Sequence, residues 1–187
     1  MNFIEKTLVI VKPDGVSRWL VWDICSRFEK VWLRIIAGKL FKAPRSVLEQ
    51  HYPLSRTEWV QSLWERTEEW YKELGMDIMK EFGTDSHTEL GKYIVWWLVD
   101  YMSEWEVFAM VLEWPHAIEV VRKLIGATVS LKAAPGTVRW DYSCDSIWLA
   151  NIEKRPIRNL IHASWNKEEA EFEVDLWFGD RLGQPPH

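Results

Sequence analysis

The sequence of 187 residues predicts a single domain of the α/β (α+β) class, built on an antiparallel sheet with helices covering one face. Four short runs of apolar residues, at 7–12, 33–41, 107–113 and 159–163, predict the strands. Helical spacing of apolar residues between these runs predicts helices between the main strands. This order of elements is typical of a ferredoxin-like split βαβ arrangement, here with an additional helical insertion.

The first half of the chain predicts two strands with a helix between them. The strand at 7–12 stops at the turn sequence Pro-Asp-Gly. Apolar residues at helical spacing follow over 20–31. The second strand, at 33–41, is broken by a proline and followed by a short helix at 46–52.

A helical insertion is predicted at about 54–92. This segment is rich in Glu, Lys, Thr and Trp, and three glycines interrupt it. We therefore expect two or three short helices there, followed by a further helix at 93–102.

The second half predicts two more strands, each followed by a helix, at 116–125 and at 167–178. Between them, residues 129–158 predict mostly loop because they contain Pro-Gly and a further proline. We assign residues 1–179 to one domain and residues 180–187 to a C-terminal tail.

Composition excludes several classes of protein. The 28 acidic and 23 basic residues argue against a general nucleic-acid binder, which needs an excess of positive charge. Two cysteines, Cys25 and Cys144, are too few for a small domain held by disulfides. The N-terminal residues do not resemble a signal peptide, and no apolar run is long enough to cross a bilayer. We expect a cytoplasmic protein that binds neither nucleic acid nor membrane.

One of the five histidines, His162, lies in an apolar strand-like run between Asn159 and Ser164. This local pattern alone favours a core histidine with satisfied hydrogen bonds. No second ligand lies at a spacing that suggests a metal site. The other histidines have polar neighbours or lie at the terminus, and we expect most of them to be solvated: His51, His87, His116 and His187.

Five sequence blocks change this interpretation because they occur together and in one order. They are TLVIVKPDGV at 7–16, HY at 51–52, VRKLIGAT at 121–128, AAPGTVR at 133–139, and NLIHAS at 159–164 followed by EEAEFEVDLWF at 168–178. In this order the blocks resemble the nucleoside diphosphate kinase family. The resemblance covers most of residues 6–52 and 98–178.

The resemblance implies a phosphotransferase that moves the γ-phosphate of a nucleoside triphosphate to a nucleoside diphosphate. The implied nucleophile is His162, and ping-pong kinetics through phosphohistidine would follow. Glu173 would orient the imidazole. The substrates would be ATP and other nucleoside tri- and diphosphates, with Mg²⁺ carried on their phosphates rather than held by the protein. The family usually forms hexamers or tetramers, which implies a homo-oligomer.

The resemblance also implies a nucleotide site with three positively charged side chains and two hydroxyl donors. An asparagine, together with the lysine among the charged residues, would contact the sugar hydroxyls. Phosphoryl transfer requires mainly positioning and positive charge around the phosphate oxygens, and arginine suits bidentate phosphate contact. A glycine-rich phosphate loop is absent, and this family does not use one. The implied residues are Lys12, Arg122, Arg139, Tyr52, Thr128 and Asn159, with Ser164 in a supporting role.

Departures from the family pattern leave other functions open. The insertion at about 54–92 and a smaller one between Arg139 and Asn159 could cover the nucleotide or alter subunit contacts, although surface elaboration without a chemical role is favoured. The base-stacking residue is not assigned, since Ile94 aligns near its position. One alternative is a non-catalytic regulatory or binding protein that uses the insertion as its partner surface. Another is a phosphohistidine donor to proteins.

Tryptophan is the abnormal residue of this composition, with 14 Trp against 9 Gly. The family pattern has glycine at six of these positions, where a bulky residue is costly if φ is positive. We hypothesise that a UGA codon read as glycine in the source has been translated as tryptophan. The six positions are Trp19, Trp22, Trp32, Trp105, Trp114 and Trp140, and Trp64, Trp148 and Trp165 also lie where a turn residue is expected.

Overall fold

A four-stranded antiparallel sheet in the order β2-β3-β1-β4 lies at the centre of the protein. The computed structural model describes residues 3–73 and 75–179, so the predicted tail at 180–187 lies outside the described residues. The strands are β1 (Ile4–Val11), β2 (Arg34–Lys42), β3 (Glu106–Pro115) and β4 (Ile161–Ala163). The predicted ferredoxin-like α/β fold is confirmed.

Helices occupy the segments between and after the strands. They are α1 (Pro13–Val16), α2 (Val21–Glu29), α3 (Arg45–His51), α4 (Thr57–Glu73), α5 (Ile78–Phe82), α6 (His87–Glu104), α7 (Ala117–Ile125), α8 (Val138–Tyr142), α9 (Ile147–Ile152) and α10 (Lys167–Phe178). No helix of the described residues is long and apolar enough to cross a membrane.

Helices cover both faces of the sheet, which corrects the prediction that they cover one face. Val9 and Val11 of β1 pack in a core with α2 and α7, while Leu8 and Ile10 pack in a second core with α3, α6 and α10. Successive residues of a strand point to opposite faces, so an unbroken apolar run needs cover on both sides. The run at the end of β1 therefore signals two covered faces.

The inserted segment forms longer helices than predicted. α4 has 17 residues, and α6 has 18 residues and begins at His87 rather than at 93. Gly91, interpreted from the sequence as a break, lies within α6, where an added Cβ would be 2.1 Å from the carbonyl oxygen of Val60. This glycine therefore permits the close approach of α4 and α6 instead of ending a helix.

The segment predicted as loop at 129–158 contains the short helices α8 and α9 and one 3-10 turn. Ser146 caps α9 by accepting a hydrogen bond from the backbone N–H of Leu149 at 3.2 Å. The Tyr71 hydroxyl of α4 donates to the carbonyl oxygen of Asn151 at 3.0 Å. The two segments that depart from the family pattern therefore pack against each other.

The six tryptophans at family glycine positions are all exposed, by 36% at Trp114 to 89% at Trp19. Trp19 and Trp32 have positive φ angles of 61° and 73°, a conformation that favours glycine. The expectation of turns is wrong at two other positions. Trp64 is fully buried within α4, and Trp148 lies in α9.

Candidate active site

The predicted catalytic pair is formed by His162 in β4 and Glu173 in α10. His162 is held in the sheet by pairing of β4 with β1, opposite Ile10. Its Nε2 lies 2.9 Å from Oε1 and 3.0 Å from Oε2 of Glu173. Among the described residues, Nδ1 of His162 has no hydrogen-bond partner. A carboxylate on one ring nitrogen fixes the tautomer and leaves the lone pair of the other nitrogen available.

Glu173 is held from a second direction by Ser164. This serine is fully buried, and its hydroxyl donates to Oε2 of Glu173 at 2.6 Å. The backbone N–H of Leu8 in turn donates to the Ser164 hydroxyl at 3.3 Å. Burial raises the pKa of Glu173, while the neighbouring His51 and the Ser164 hydrogen bond oppose that rise. The supporting position predicted for Ser164 therefore lies behind the carboxylate.

Lys12, directly after β1, and Asn159, just before β4, form a buried polar pair. Nζ of Lys12 donates to Oδ1 of Asn159 at 2.8 Å, and Nδ2 of Asn159 donates to the carbonyl oxygen of Thr128, also at 2.8 Å. Burial, and then the charge of Arg139, lowers the pKa of Lys12 to about 8, and Asp14 opposes this shift. Asn159 therefore links the lysine to the loop that carries Thr128.

Arg139 of α8 is almost fully buried, with 4% of its surface exposed. Its guanidinium donates to three backbone carbonyl oxygens, those of Gly126 at 2.8 Å, Ile161 at 2.7 Å and Asn159 at 3.3 Å. Burial lowers the pKa of Arg139 to about 10, and the charge of Arg122 adds to this effect. The side chain thus places positive charge in the site and also joins the loop after α7 to β4.

Arg122 of α7 is only partly buried. Its guanidinium carbon lies 3.8 Å from the centre of the Trp165 ring, a cation–π contact, and Nη1 lies 3.5 Å from the carbonyl oxygen of Ala163. Burial lowers its pKa, and Glu169 opposes the shift. Both predicted arginines are therefore held in place by contacts with β4 or with residues next to it.

The two predicted hydroxyl donors differ in their placement. Tyr52 is buried, and its ring centre lies 4.5 Å from that of His51 in an edge-on contact. Thr128 is exposed, and its described contact with the site is made by its backbone carbonyl rather than its hydroxyl. The structure therefore brings Tyr52 next to His51 and leaves the Thr128 side chain open to solvent.

His51 was expected to be solvated, and this expectation is wrong. The side chain is fully buried, and its ring centre lies 4.5 Å from that of His162. Its Nδ1 accepts a hydrogen bond from Nε1 of Trp177 at 3.2 Å. The signal was present in the sequence as the HY block at 51–52, but the polar neighbours of His51 favoured a surface position.

Asp14 is another residue of the site that the sequence analysis did not single out. Its Oδ2 accepts from the backbone N–H of Leu160 at 3.0 Å, and its Oδ1 accepts from the Tyr101 hydroxyl at 2.5 Å. Leu160 has a φ angle of 68°, which is strained for a leucine. Asp14 therefore holds the strained residue that connects Asn159 to β4.

The electrostatic surroundings keep His162 neutral. Burial lowers its pKa most, the charge of Lys12 comes next, and Arg139 and Arg122 act in the same direction, whereas Glu169 opposes them. A neutral imidazole with a free Nδ1 next to three cations can act as a nucleophile toward an anionic group.

His51, His162 and Glu173 also form a set whose potential metal-ligating atoms lie within 4.8 Å of one another. In the described structure, His162 and Glu173 are hydrogen-bonded to each other, and Nδ1 of His51 is bonded to Trp177. We interpret the set as a hydrogen-bonded unit on this basis.

The amino-acid sequence matches one protein-family model and several known proteins. The nucleoside diphosphate kinase family model matches residues 5–72 and 86–182. A nucleoside diphosphate kinase of Pyrobaculum aerophilum is 47% identical over 175 residues, which are 94% of this chain and 95% of that protein. One from Borreliella burgdorferi is 38% identical over 178 residues, covering 95% of this chain and 89% of that protein.

Solved structures agree with the sequence comparison. The crystal structure of an NDP kinase from Pyrobaculum aerophilum superposes with a TM-score of 0.92 at 46% identity, covering 96% of this chain and 98% of that one. A transition-state mimic of the Borrelia burgdorferi enzyme with bound vanadate and ADP gives a TM-score of 0.75 at 34% identity, covering 99% and 93%. This chain therefore belongs to the nucleoside diphosphate kinase family.

Proposed function

We propose that this chain moves the γ-phosphoryl group of a nucleoside triphosphate to a nucleoside diphosphate through phospho-His162. Phosphotransfer between nucleotides is the activity of the family to which the chain belongs. The observation that supports the role of His162 most directly is its asymmetric hydrogen bonding. Glu173 binds Nε2 at 2.9 Å, whereas Nδ1 is unpaired among the described residues.

In the first half-reaction, the Nδ1 lone pair attacks the γ-phosphorus. The bond between that phosphorus and the bridging oxygen breaks, and the nucleoside diphosphate leaves with the electron pair. The ring gains positive charge, and the Glu173 carboxylate at Nε2 stabilises it. In the second half-reaction, a terminal β-phosphate oxygen of another diphosphate attacks the phosphorus. The P–N bond breaks and returns the lone pair to Nδ1, which predicts ping-pong kinetics.

Positive charge for the phosphates comes from Lys12, Arg122 and Arg139, the same side chains that lower the pKa of His162. The substrate is the Mg²⁺ complex of the nucleotide, with the ion on the phosphates. Asn159 and Lys12, joined at 2.8 Å, contact the sugar hydroxyls, and Tyr52 and Thr128 contribute hydroxyl donors. Arg139 uses donors that are not engaged by its three backbone carbonyl partners.

The oligomeric state, the cellular location and the domain bounds are also proposals. We infer a homo-oligomer, a hexamer or tetramer, acting in the cytoplasm, with residues 1–179 as one domain and 54–92 as an elaboration of it. Strand β2 lies at an edge of the sheet and carries Leu40, which is 53% exposed. An apolar side chain on an edge strand supports burial against another subunit.

A two-step labelling experiment tests the proposed function. The protein is incubated with γ-labelled ATP, the acid lability of the label is measured, and GDP is then added to isolated labelled protein. We expect acid-labile label that moves to GTP. His162→Ala should carry no label, whereas the control His87→Ala, at a residue of α6 that pairs with Glu68 at 3.4 Å, should be labelled like the wild type.

The same experiment separates the alternatives. A wild-type protein that takes up no label would contradict the catalytic proposal and favour a non-catalytic binding protein. Full labelling of His162→Ala would reject His162 as the carrier. Label that forms but does not move to GDP would contradict transfer between nucleotides.

A further inference from the structure

The His51 ring is held in one tautomer by Trp177. An indole N–H can only donate, so Nδ1 of His51, 3.2 Å from Nε1 of Trp177, accepts and carries no proton. A neutral ring then has its proton on Nε2. Burial, and then the nearby His162, lowers the pKa of His51 to about 3, so the ring is neutral at pH 7.

The other groups around His51, apart from Trp177, favour the opposite tautomer. Among the described residues, Nε2 of His51 is buried and has no hydrogen-bond partner. An unpaired buried N–H is unfavourable. On the other side of the ring, Nδ1 lies 3.5 Å from Oε1 of Glu173. Moving the proton to Nδ1 would remove the unpaired donor and create a hydrogen bond to a carboxylate.

Such a hydrogen bond would compete with His162 for the same carboxylate oxygen. Oε1 of Glu173 lies 2.9 Å from Nε2 of His162 and 3.5 Å from Nδ1 of His51. The two imidazole rings are in edge contact, with centres 4.5 Å apart. A second hydrogen bond to Oε1, from Nδ1 of His51, would weaken the one between that oxygen and His162.

We propose that Trp177 is a positioning residue that fixes the tautomer of His51, so that Glu173 serves His162 alone. By donating to Nδ1 of His51, the indole prevents that nitrogen from acquiring a proton and binding Glu173. The proposal rests on the proposed function, since it concerns the orientation of the residue that would be phosphorylated. Trp177 itself contacts no reacting atom and acts through His51.

A single variant and a double variant test this role. Trp177→Phe keeps an aromatic ring against Phe41, whose ring centre is 5.9 Å away, but removes the N–H. We expect the rate of phosphoenzyme formation to fall about tenfold, comparable to the loss of one net hydrogen bond, with little change in the KM for nucleotide. His51 is then free to bind Glu173.

The double variant Trp177→Phe/His51→Phe gives the decisive comparison. It removes the competing imidazole together with the indole donor, so we expect phosphoenzyme formation faster than in Trp177→Phe alone. A double variant as slow as or slower than Trp177→Phe would overturn the proposal, as would a Trp177→Phe rate equal to that of the wild type. Circular dichroism at the assay temperature establishes that each variant is folded.

A direct measurement on the wild type does not depend on the folding of variants. The ¹⁵N shifts of labelled histidine rings should show His51 with its proton on Nε2, and a proton on Nδ1 would overturn the proposal. Failure of the proposed function has a different signature, because a wild type that is never phosphorylated rejects the catalytic role whatever the tautomer.

Discussion

Around β4, charged and polar side chains are buried and hydrogen-bonded. On the outer surface, in contrast, large aromatic side chains are exposed to solvent. Lys12, Asn159 and Glu173 are at most 7% exposed, and each has a hydrogen-bond partner. Trp19 and Trp32 are 89% and 75% exposed and have backbone angles that favour glycine. The three side chains named in the first region satisfy the rule that buried polar groups are paired, whereas the two tryptophans have backbone angles that are unfavourable for a bulky residue.

This contrast shows which tryptophans fit the fold. Trp64 and Trp177 are buried in helices with packing partners, as expected for a large aromatic residue. The six at family glycine positions are exposed instead. The hypothesis of a UGA codon decoded as glycine therefore concerns the surface and leaves the tryptophan next to His51 unaffected.

The largest effect on stability is expected from Arg139→Met. The substitution removes the guanidinium donor of three backbone carbonyl oxygens, so the free energy of unfolding should fall by about 3 kcal/mol or more. Urea denaturation measures this change. The matched control is Arg34→Met on the surface of β2, which should change stability by less than about 0.5 kcal/mol. Equal losses of stability in the two variants would contradict the claim that the buried arginine contributes more to stability than the surface arginine.

A second prediction concerns the pH dependence of the reaction. The pKa of Lys12 is lowered to about 8, so the lysine loses its charge as the pH rises through that value. We expect kcat/KM to fall above pH 8, by up to about tenfold per pH unit. Lys12→Arg should move this decline to higher pH, because arginine stays protonated. An unchanged profile in Lys12→Arg would show that another group titrates.

Acid should destabilise the folded protein through its buried histidines. Burial lowers the pKa of His51 from 6.5 to about 3 and also lowers that of His162. Below pH 6.5 the unfolded chain binds protons that the folded protein does not, so stability decreases as the pH falls toward 3. We expect a loss of roughly 3 kcal/mol from His51 alone between pH 7 and pH 4, measured by urea denaturation. His51→Phe should flatten this dependence, and an identical slope would contradict it.

The smallest effects are expected on the tryptophan surface. Trp19→Gly and Trp32→Gly relieve a positive φ at exposed positions, so each should stabilise the protein by about 1 kcal/mol. Trp22→Gly is the matched control, because Trp22 is exposed but lies in α2, where glycine should destabilise by about 1 kcal/mol. Stabilisation at all three positions, or at none, would contradict the backbone argument.

The intact mass of protein from its native source tests the decoding hypothesis itself. Glycine at the six positions should give a mass lower than that of the written sequence by six tryptophan-to-glycine differences. A mass that matches tryptophan at Trp19, Trp22 and Trp140 would reject the hypothesis.

The sequence predicted the strands well because their apolar runs are short, distinct and bounded by turn residues. It failed at Gly91, since a glycine that permits helix contact and a glycine that ends a helix look the same without the partner backbone. It also placed His51 in solvent, because the burial of a helix-end histidine depends on α10 covering it. The roles proposed for His162 and Glu173 are those that the family resemblance implies, whereas the hydrogen bonds that distinguish Nε2 from Nδ1 required the structure.

The most direct test of the proposed mechanism is to determine which atom is phosphorylated. Protein phosphorylated by ATP would be studied by ³¹P and ¹⁵N NMR at alkaline pH, where phosphohistidine is stable, and by mapping of the phosphorylated peptide. We predict one phosphoryl group on Nδ1 of His162, because Glu173 occupies Nε2 at 2.9 Å. A phosphoryl group on Nε2, or on any other residue, would contradict the proposed geometry of transfer.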